Sequence, residues 1–327
     1  MRLLPFALAG AALALPVSLV AEEARPIAAP SPGQIVEGAP KADWVRIAPT
    51  DLLVMDLAPG PRGARRVVIQ LMPPPFSQGW VGNVRRLAAA HWWDGLSVYR
   101  VQDNYVAQWG DADGGDPKRA KALPVSLAVV PESEYDTDSN WSTADLRLEN
   151  GITGLPELGS RHDVYASDVV YWKGWPMALR RLDYDVRKLR AWPVHCYAMV
   201  GVARDLSPNT GSGAELYTVI GHAPRQLDRN IALIGRVVEG IEHLSSLPRG
   251  TGAAGFFEKA EERTPIVSVR IGTEAAGLVA YEYLSTESGS FARYAAARAN
   301  RRDPFFIAPA GGADICNIPV PVRRVKG

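Results

Sequence analysis

The sequence predicts a mainly β protein with few helices, and three observations support this class. Short runs rich in Val, Ile and Tyr are separated by Gly, Pro, Asn and Asp, most clearly in the hairpin pattern of residues 98–111. Residues 66–71 and 265–271 have the same β-branched character and end at turn signals. The clearest helical pattern covers residues 77–91, where apolar residues recur every three or four positions.

Composition limits the classes of function. The 327 residues are 47% hydrophobic and 22% charged, enough for one large domain or two ordinary ones. A formal net charge of +1 gives no electrostatic basis for binding nucleic acid. The five His and two Cys are scattered without the spacing of zinc ligands, so no metal site is predicted.

Residues 1–21 have the three zones of a secretory signal peptide: Arg2 as the only charge, an apolar run, and Ala21 before an acidic pair, although Leu19 stands where a small residue is preferred. A retained membrane anchor is the alternative, because about 18 apolar residues can span a bilayer. Pro5, Gly10 and Pro16 interrupt the run and favour cleavage. We therefore expect export, to a bacterial periplasm, without stable membrane insertion after cleavage.

The hairpin carries an unusual arginine. Arg100 lies on an apolar strand between aromatic residues, and a second strand follows with Tyr105, Val106 and Gln108. Alternation puts Val106 and Gln108 on one face and Tyr105 with Ala107 on the other, unless the strand is bent. Because a half-buried arginine is costly, its position indicates a task.

The order Tyr-Arg-Val-x-x-x-Tyr-Val-x-Gln-x-Gly-Asp at residues 99–111 resembles the central signature of the cyclophilins, which are peptidyl-prolyl cis-trans isomerases. Two further segments resemble the family in the same order. Residues 203–217 contain Pro-Asn-Thr-Gly in a loop before a strand, and residues 227–237 begin with Leu-Asp and end with Gly-Arg-Val. The resemblance covers roughly residues 66–271 and implies a closed eight-stranded antiparallel β-barrel capped by two helices.

The resemblance also implies the domain organisation. Residues 44–273 would form the cyclophilin-like domain, after an extended Pro/Ala-rich linker at 22–43. Residues 112–193 exceed what a compact member needs, so we interpret them as an insertion and as a candidate surface for a protein partner. Residues 274–327 would be a C-terminal extension. Tyr171, Trp172 and Trp175 in the insertion form either a surface platform or, more simply, packing against the barrel.

Two smaller helices and the cysteines complete the chain. Residues 238–247 predict a short helix, and residues 291–302 predict a basic helix whose arginines form a solvated face. Cys196 lies in an apolar run and Cys316 in a Pro-flanked tail. A disulfide and two free thiols both remain open, because pairing requires Cα atoms within about 7 Å.

The resemblance assigns an active site. Arg100 would donate to the proline nitrogen, and Gln108 would orient Arg100. Tyr105, Val106 and Tyr217 would form the apolar pocket, with Leu227 at its edge. The remaining positions would contact substrate main chain or occupy a family glutamine: Ala203, Arg204, Glu215.

The implied reaction is a rotation that needs no cofactor. Resonance gives the peptide bond a barrier of about 18–20 kcal/mol, and a donor aimed at the twisted nitrogen stabilises only the transition state. Gln226 and Ile231 stand where the family has tryptophan and histidine. Glu215, by pairing with Arg100, is expected to reduce activity. The alternative is a catalytically weak protein that binds proline-containing, flexible segments or another partner.

Overall fold

The computed structural model describes residues 29–139, 163–181 and 189–325. The helices are α1 (Pro32–Glu37), α2 (Gln78–Ala89), α3 (Glu242–Ser245) and α4 (Gly289–Ala299). The strands are β1 (Trp44–Arg46), β2 (Leu52–Gly60), β3 (Gly63–Leu71), β4 (Ser97–Val101), β5 (Val106–Gly110), β6 (Thr137–Ser139), β7 (Asp168–Trp172), β8 (Trp175–Arg181), β9 (Leu189–Pro193), β10 (Met199–Val202), β11 (Leu216–Val219), β12 (Leu233–Glu239), β13 (Thr264–Ile271), β14 (Tyr281–Leu284) and β15 (Val322–Arg324).

Eight strands close into an antiparallel barrel in the order β10-β11-β5-β4-β13-β2-β3-β12. The predicted fold is therefore confirmed. Alternate strand residues such as Val67, Ile69 and Leu216 are fully buried in one large apolar core. Closure pairs both edges of the sheet, so the barrel presents a continuous outer wall on which a site can be built.

The predicted helix at 77–91 is confirmed as α2, and it holds the loop before β11. Trp80 is fully buried, and its indole Nε1 donates to the carbonyls of Thr210 and Gly211 at 3.1 and 3.0 Å. The Asn83 amide donates to the Ser212 carbonyl at 2.9 Å. The loop therefore enters β11 from a fixed position.

The predicted helix at 238–247 is shorter than expected. Strand β12 continues to Glu239, and Gly240 follows with φ +85°, a left-handed conformation that ends the strand without starting a helix. Only the turn of α3 remains helical. The predicted basic helix at 291–302 is present as α4, which begins after the Ser288 cap and ends at Ala299.

The described part of the insertion forms its own sheet, in the order β6-β9-β8-β7. Trp175 and Tyr171 are buried in the core shared with the barrel, so packing rather than a surface platform describes them. Trp172 packs edge-on against Phe76, with ring centroids 5.4 Å apart. Arg236 of β12 lies under this sheet with its guanidinium 4.6 Å from the Trp175 ring.

The two ends of the described chain meet. Strand β1 pairs with β14, which pairs with β15, so the first strand of the described chain shares a sheet with the extension. Residues 32–37 form the capped helix α1 rather than extended linker. The predicted signal peptide and its anchor alternative lie outside the described residues. Within the described ranges, no helix has both the length and the apolar character needed to cross a membrane.

The cysteine question is settled by the structure. Cys196 and Cys316 form a disulfide with Cα atoms 5.1 Å apart. The bond ties the segment before β10 to the C-terminal extension, 120 residues later. Extension, insertion and barrel thus share one core, and the disulfide links the extension to the segment before β10.

Candidate active site

The predicted site residues meet on the outer wall of the barrel, across β4, β5 and β11. The register places Arg100 opposite Gln108, and Gln108 opposite Tyr217. Val106, Tyr217 and Val219 form a small buried cluster beside this row. The partly buried residues packed against that cluster are Tyr105, Ala203, Leu227 and Ile231. One row of polar groups therefore borders one apolar cluster.

The expected placement of Tyr105 was wrong in one respect. Tyr105 packs with Val106 rather than on the face of Ala107, which lies in the barrel core. The reason is that Tyr105 precedes β5 and follows Asn104, whose φ of 50° turns the chain at the hairpin tip. Strand alternation does not apply in a turn.

The Arg100 guanidinium is fixed by three acceptors. Nε donates to the Ala254 carbonyl at 2.8 Å, Nη1 to Gln108 Oε1 at 3.0 Å, and Nη2 to Gln102 Oε1 at 2.5 Å. A guanidinium has five N–H groups, so within the described ranges one on Nη1 and one on Nη2 have no acceptor. Partial burial lowers the pKa of Arg100, yet a guanidinium stays charged at ordinary pH.

Two aromatic rings flank Arg100. Its Cζ lies 5.1 Å from the Phe256 ring centroid and 5.8 Å from that of Tyr105. Within the described ranges, no carboxylate lies within 4 Å of the guanidinium, so the expected ion pair with Glu215 or Asp111 is absent there. Arg100 is held by neutral groups and keeps its charge uncompensated.

Glu215 has other partners. Gln108 Nε2 donates to the Tyr99 hydroxyl at 2.5 Å, and that hydroxyl donates to Glu215 Oε2 at 2.7 Å. The Asp111 N–H donates to Glu215 Oε1 at 2.8 Å. Burial raises the pKa of Glu215 to about 7, although both hydrogen bonds favour the ionised form.

A second polar chain lies beneath the apolar cluster. The Tyr217 hydroxyl donates to His195 Nε2 at 2.9 Å, and His195 Nδ1 donates to Asp228 Oδ1 at 2.8 Å. Asp228 also accepts from Arg225 Nε at 2.8 Å, and Arg225 is bidentate to Asp163 of the insertion. A side chain at position 201 would collide with the Tyr217 ring, which explains Gly201.

The remaining predicted residues form the rim. The Ala203 N–H donates to the Glu215 carbonyl at 2.8 Å, and Arg204 donates to the carbonyls of Asn230 and Asp205. Gln226 is exposed beside Leu227. The Arg204 side chain thus stabilises the loop at the rim. Its contact with substrate main chain stays a prediction.

Sequence reasoning missed Phe256, Gln102, His195 and Asp228. Phe256 follows the glycine-rich run 250–255, where Gly255 has φ +79° and a Cβ would lie 2.6 Å from Gln102 Cα. A glycine-rich approach before an aromatic pair was the available signal. The signal for His195 was Tyr217 itself, because a buried tyrosine hydroxyl needs a partner.

Comparison with known proteins agrees with this geometry. Residues 66–271 match the family model of the cyclophilin type peptidyl-prolyl cis-trans isomerase/CLD. The chain belongs to the cyclophilin family. No curated protein matches it.

This cyclophilin also resembles solved structures. Cyclophilin AquaCyp293 from Hirschia baltica has 18% identity and a TM-score of 0.64, covering 88% of this chain and 97% of that one. A cyclophilin type isomerase from Cryptosporidium parvum, in the presence of the dipeptide Ala-Pro, has 10% identity and a TM-score of 0.37 over 67% and 98% of the chains. At 18% identity the likeness to the Hirschia baltica cyclophilin supports the fold.

Proposed function

We propose that this cyclophilin accelerates cis-trans rotation of X-Pro bonds in flexible protein segments, with Arg100 stabilising the twisted amide. The family and fold support isomerase function in general. The observation that carries the specific role is the pair of remaining N–H groups on Arg100, beside the cluster of Val106 and Tyr217.

The chemistry follows from the planar amide. On twisting, the proline nitrogen becomes pyramidal and gains lone-pair character, so a fixed donor binds it better than either planar isomer. The apolar cluster of Val106, Tyr217 and Val219 would hold the proline ring while the rest of the segment turns. Because the three acceptors and two flanking rings hold Arg100 in place, little reorganisation is needed in the transition state.

We place this activity outside the cytoplasm, most simply in a bacterial periplasm. The apolar character of residues 3–20 and the Cys196–Cys316 disulfide support the proposal, because structural disulfides persist in oxidising compartments. Folding proteins there face uncatalysed X-Pro isomerisation of about tens to hundreds of seconds.

The test compares wild type with Arg100→Ala and Arg100→Lys in a protease-free isomerisation assay on an X-Pro peptide. We expect Arg100→Ala to lose about 100-fold in kcat/KM, the loss typical of removing one preorganised donor. Arg100→Lys keeps the charge without the planar fork and is expected to recover only part. Arg324→Ala is the matched control, since its guanidinium pairs with Glu239 on the β12 side of the barrel.

The outcomes separate two functions. Equal activity of wild type and Arg100→Ala would overturn the role of Arg100. If wild type has no activity but binds the peptide, the protein is the proline-segment binding protein considered as the alternative.

A further inference from the structure

Glu215 faces Tyr99 and Asp111 instead of Arg100. We propose that Tyr99 and Glu215 are positioning residues that set the direction of a hydrogen-bond chain ending on Arg100, and that protonation of Glu215 reverses that direction. The inference rests on the proposed function, because Arg100 is the group whose position would change. It replaces the sequence-based assignment of Glu215 to substrate contact.

The direction of the chain follows from what each group can do. An ionised carboxylate only accepts, so the Tyr99 hydroxyl must donate its proton to Glu215. The hydroxyl oxygen then accepts from the amide group of Gln108, at 2.5 Å. This leaves Gln108 Oε1 facing Arg100 Nη1 at 3.0 Å. The carboxylate charge therefore fixes which end of the Gln108 amide meets the guanidinium.

The surroundings of the Glu215 side chain fit a carboxylate. Asp111 N–H donates to Oε1, so this oxygen is fixed as an acceptor in either protonation state. Gly110 has φ +144°, and a side chain there would collide with the carboxylate. Oε2 is the oxygen bonded to Tyr99, so a proton on Oε2 leaves the Asp111 bond in place and alters the Tyr99 bond.

A proton on Oε2 changes the chain. The Tyr99 oxygen then faces two donors, Glu215 on one side and Gln108 on the other. Either the hydroxyl proton is left without an acceptor, or Gln108 turns its amide over and presents NH₂ to the Arg100 guanidinium. Both results loosen Arg100, because a buried donor facing a donor is costly.

The charges around Glu215 place this change in an accessible pH range. The Tyr99 phenol faces it from β4, and the Asp111 carboxylate lies beyond its own N–H and opposes a second negative charge. Arg100 lies three hydrogen bonds away, through Tyr99 and Gln108. Burial raises the pKa of Glu215 to about 7, the Asp111 charge acts in the same direction, and the hydrogen bonds from Tyr99 and the Asp111 N–H oppose them.

The experiment measures kcat and KM from pH 5.5 to 8.5 for wild type, Glu215→Gln and Tyr99→Phe. We expect wild-type kcat to rise about tenfold through pH 7, with KM nearly constant, because Arg100 acts in the transition state. Glu215→Gln mimics the protonated state: with its carbonyl held by Asp111, its NH₂ faces Tyr99. For both variants, Glu215→Gln and Tyr99→Phe, we expect a low kcat that does not change with pH.

The matched control is Tyr294→Phe, which removes a hydroxyl bonded to the Pro319 carbonyl at 2.7 Å in the extension. It should follow the wild-type profile. Thermal unfolding of every variant identifies any that fail to fold. A flat wild-type profile, or full activity of Glu215→Gln at pH 8, would overturn the inference.

A second readout is independent of catalysis. In ¹⁵N NMR, the Gln108 side-chain NH₂ and the Arg100 Nε–H of wild type should titrate together with a midpoint near pH 7, and this titration should vanish in Glu215→Gln. If wild type shows no isomerase activity at any pH, the proposed function fails, and the NMR titration alone decides whether the chain reverses. Constant chemical shifts would refute it.

Discussion

The Tyr217 hydroxyl lies 2.9 Å from His195 Nε2, beneath the apolar cluster of the site. A phenylalanine at this position would need no polar partner. In this chain the additional hydroxyl is satisfied inside the protein, because His195 passes the interaction on to Asp228 at 2.8 Å. The ring thus packs with Val106 and Val219, while its hydroxyl is paired with His195.

Tyr217→Phe is predicted to lower stability and to preserve activity. The change leaves His195 Nε2 without its donor, at a cost of about 1–2 kcal/mol, while the ring that lines the pocket stays. Denaturant unfolding measures the first effect, and the peptide assay should show kcat/KM within about twofold of wild type. A large loss of activity at unchanged stability would show that the hydroxyl acts on the substrate.

Phe256→Ala is predicted to reduce kcat/KM roughly threefold by removing the ring against Arg100. The guanidinium Cζ lies 5.1 Å from this ring, and Phe256 also stacks on Tyr99. Phe305→Ala is the matched control, because Phe305 is 84% exposed and lies in the extension. Equal effects of the two substitutions on the isomerisation rate would contradict a role for Phe256 in holding Arg100.

Reduction of the Cys196–Cys316 disulfide is predicted to destabilise the fold. A bond that closes a loop with a sequence separation of 120 contributes about 5 kcal/mol in the chain-entropy model. Thermal unfolding with and without dithiothreitol measures the loss, with thiol labelling to verify reduction. The Cys196→Ala/Cys316→Ala double variant should unfold at one temperature under both conditions. An unchanged Tm of fully reduced wild type would refute the prediction.

Glu215→Gln is predicted to gain stability relative to wild type as the pH rises from about 5 to 7. Burial raises the folded-state pKa of Glu215 to about 7 from its ordinary value of 4.5, so between these values the folded protein holds a proton that the unfolded chain has released. Proton uptake on folding makes wild-type stability fall as pH rises through this window. Glutamine has no such dependence.

Urea unfolding of both proteins at several pH values isolates this contribution, because the other titrating groups are common to the pair. A difference in unfolding free energy that stays constant from pH 5 to 7 would show that Glu215 has an ordinary pKa in the folded protein.

The barrel and much of its site could be predicted because their signals are local or depend on ordered motifs. The strand at 265–271 and the helix at 77–91 show their periodicity within a few residues. Arg100 and Gln108 lie eight positions apart in one hairpin, so their contact follows from strand pairing.

The rest depends on contacts between distant segments. Nothing near Phe256 in sequence shows that its loop folds back on Arg100, and the pairing of β1 with β14 joins segments more than 200 residues apart. The side-chain direction of Glu215 was equally hidden, because a motif gives a position and leaves the competition between Arg100 and Tyr99 undecided.

The barrel of this cyclophilin extends beyond the residues that match the family model, which matters for the design of truncated variants. The family match ends at residue 271 and begins at 66, yet strand β2 of the barrel lies before it. A fragment of residues 66–271 would lack strand β2, which lies between β13 and β3 in the barrel, and it would lack Cys316, the disulfide partner of Cys196. The segment that matches the family model is therefore shorter than the segment that forms the closed barrel.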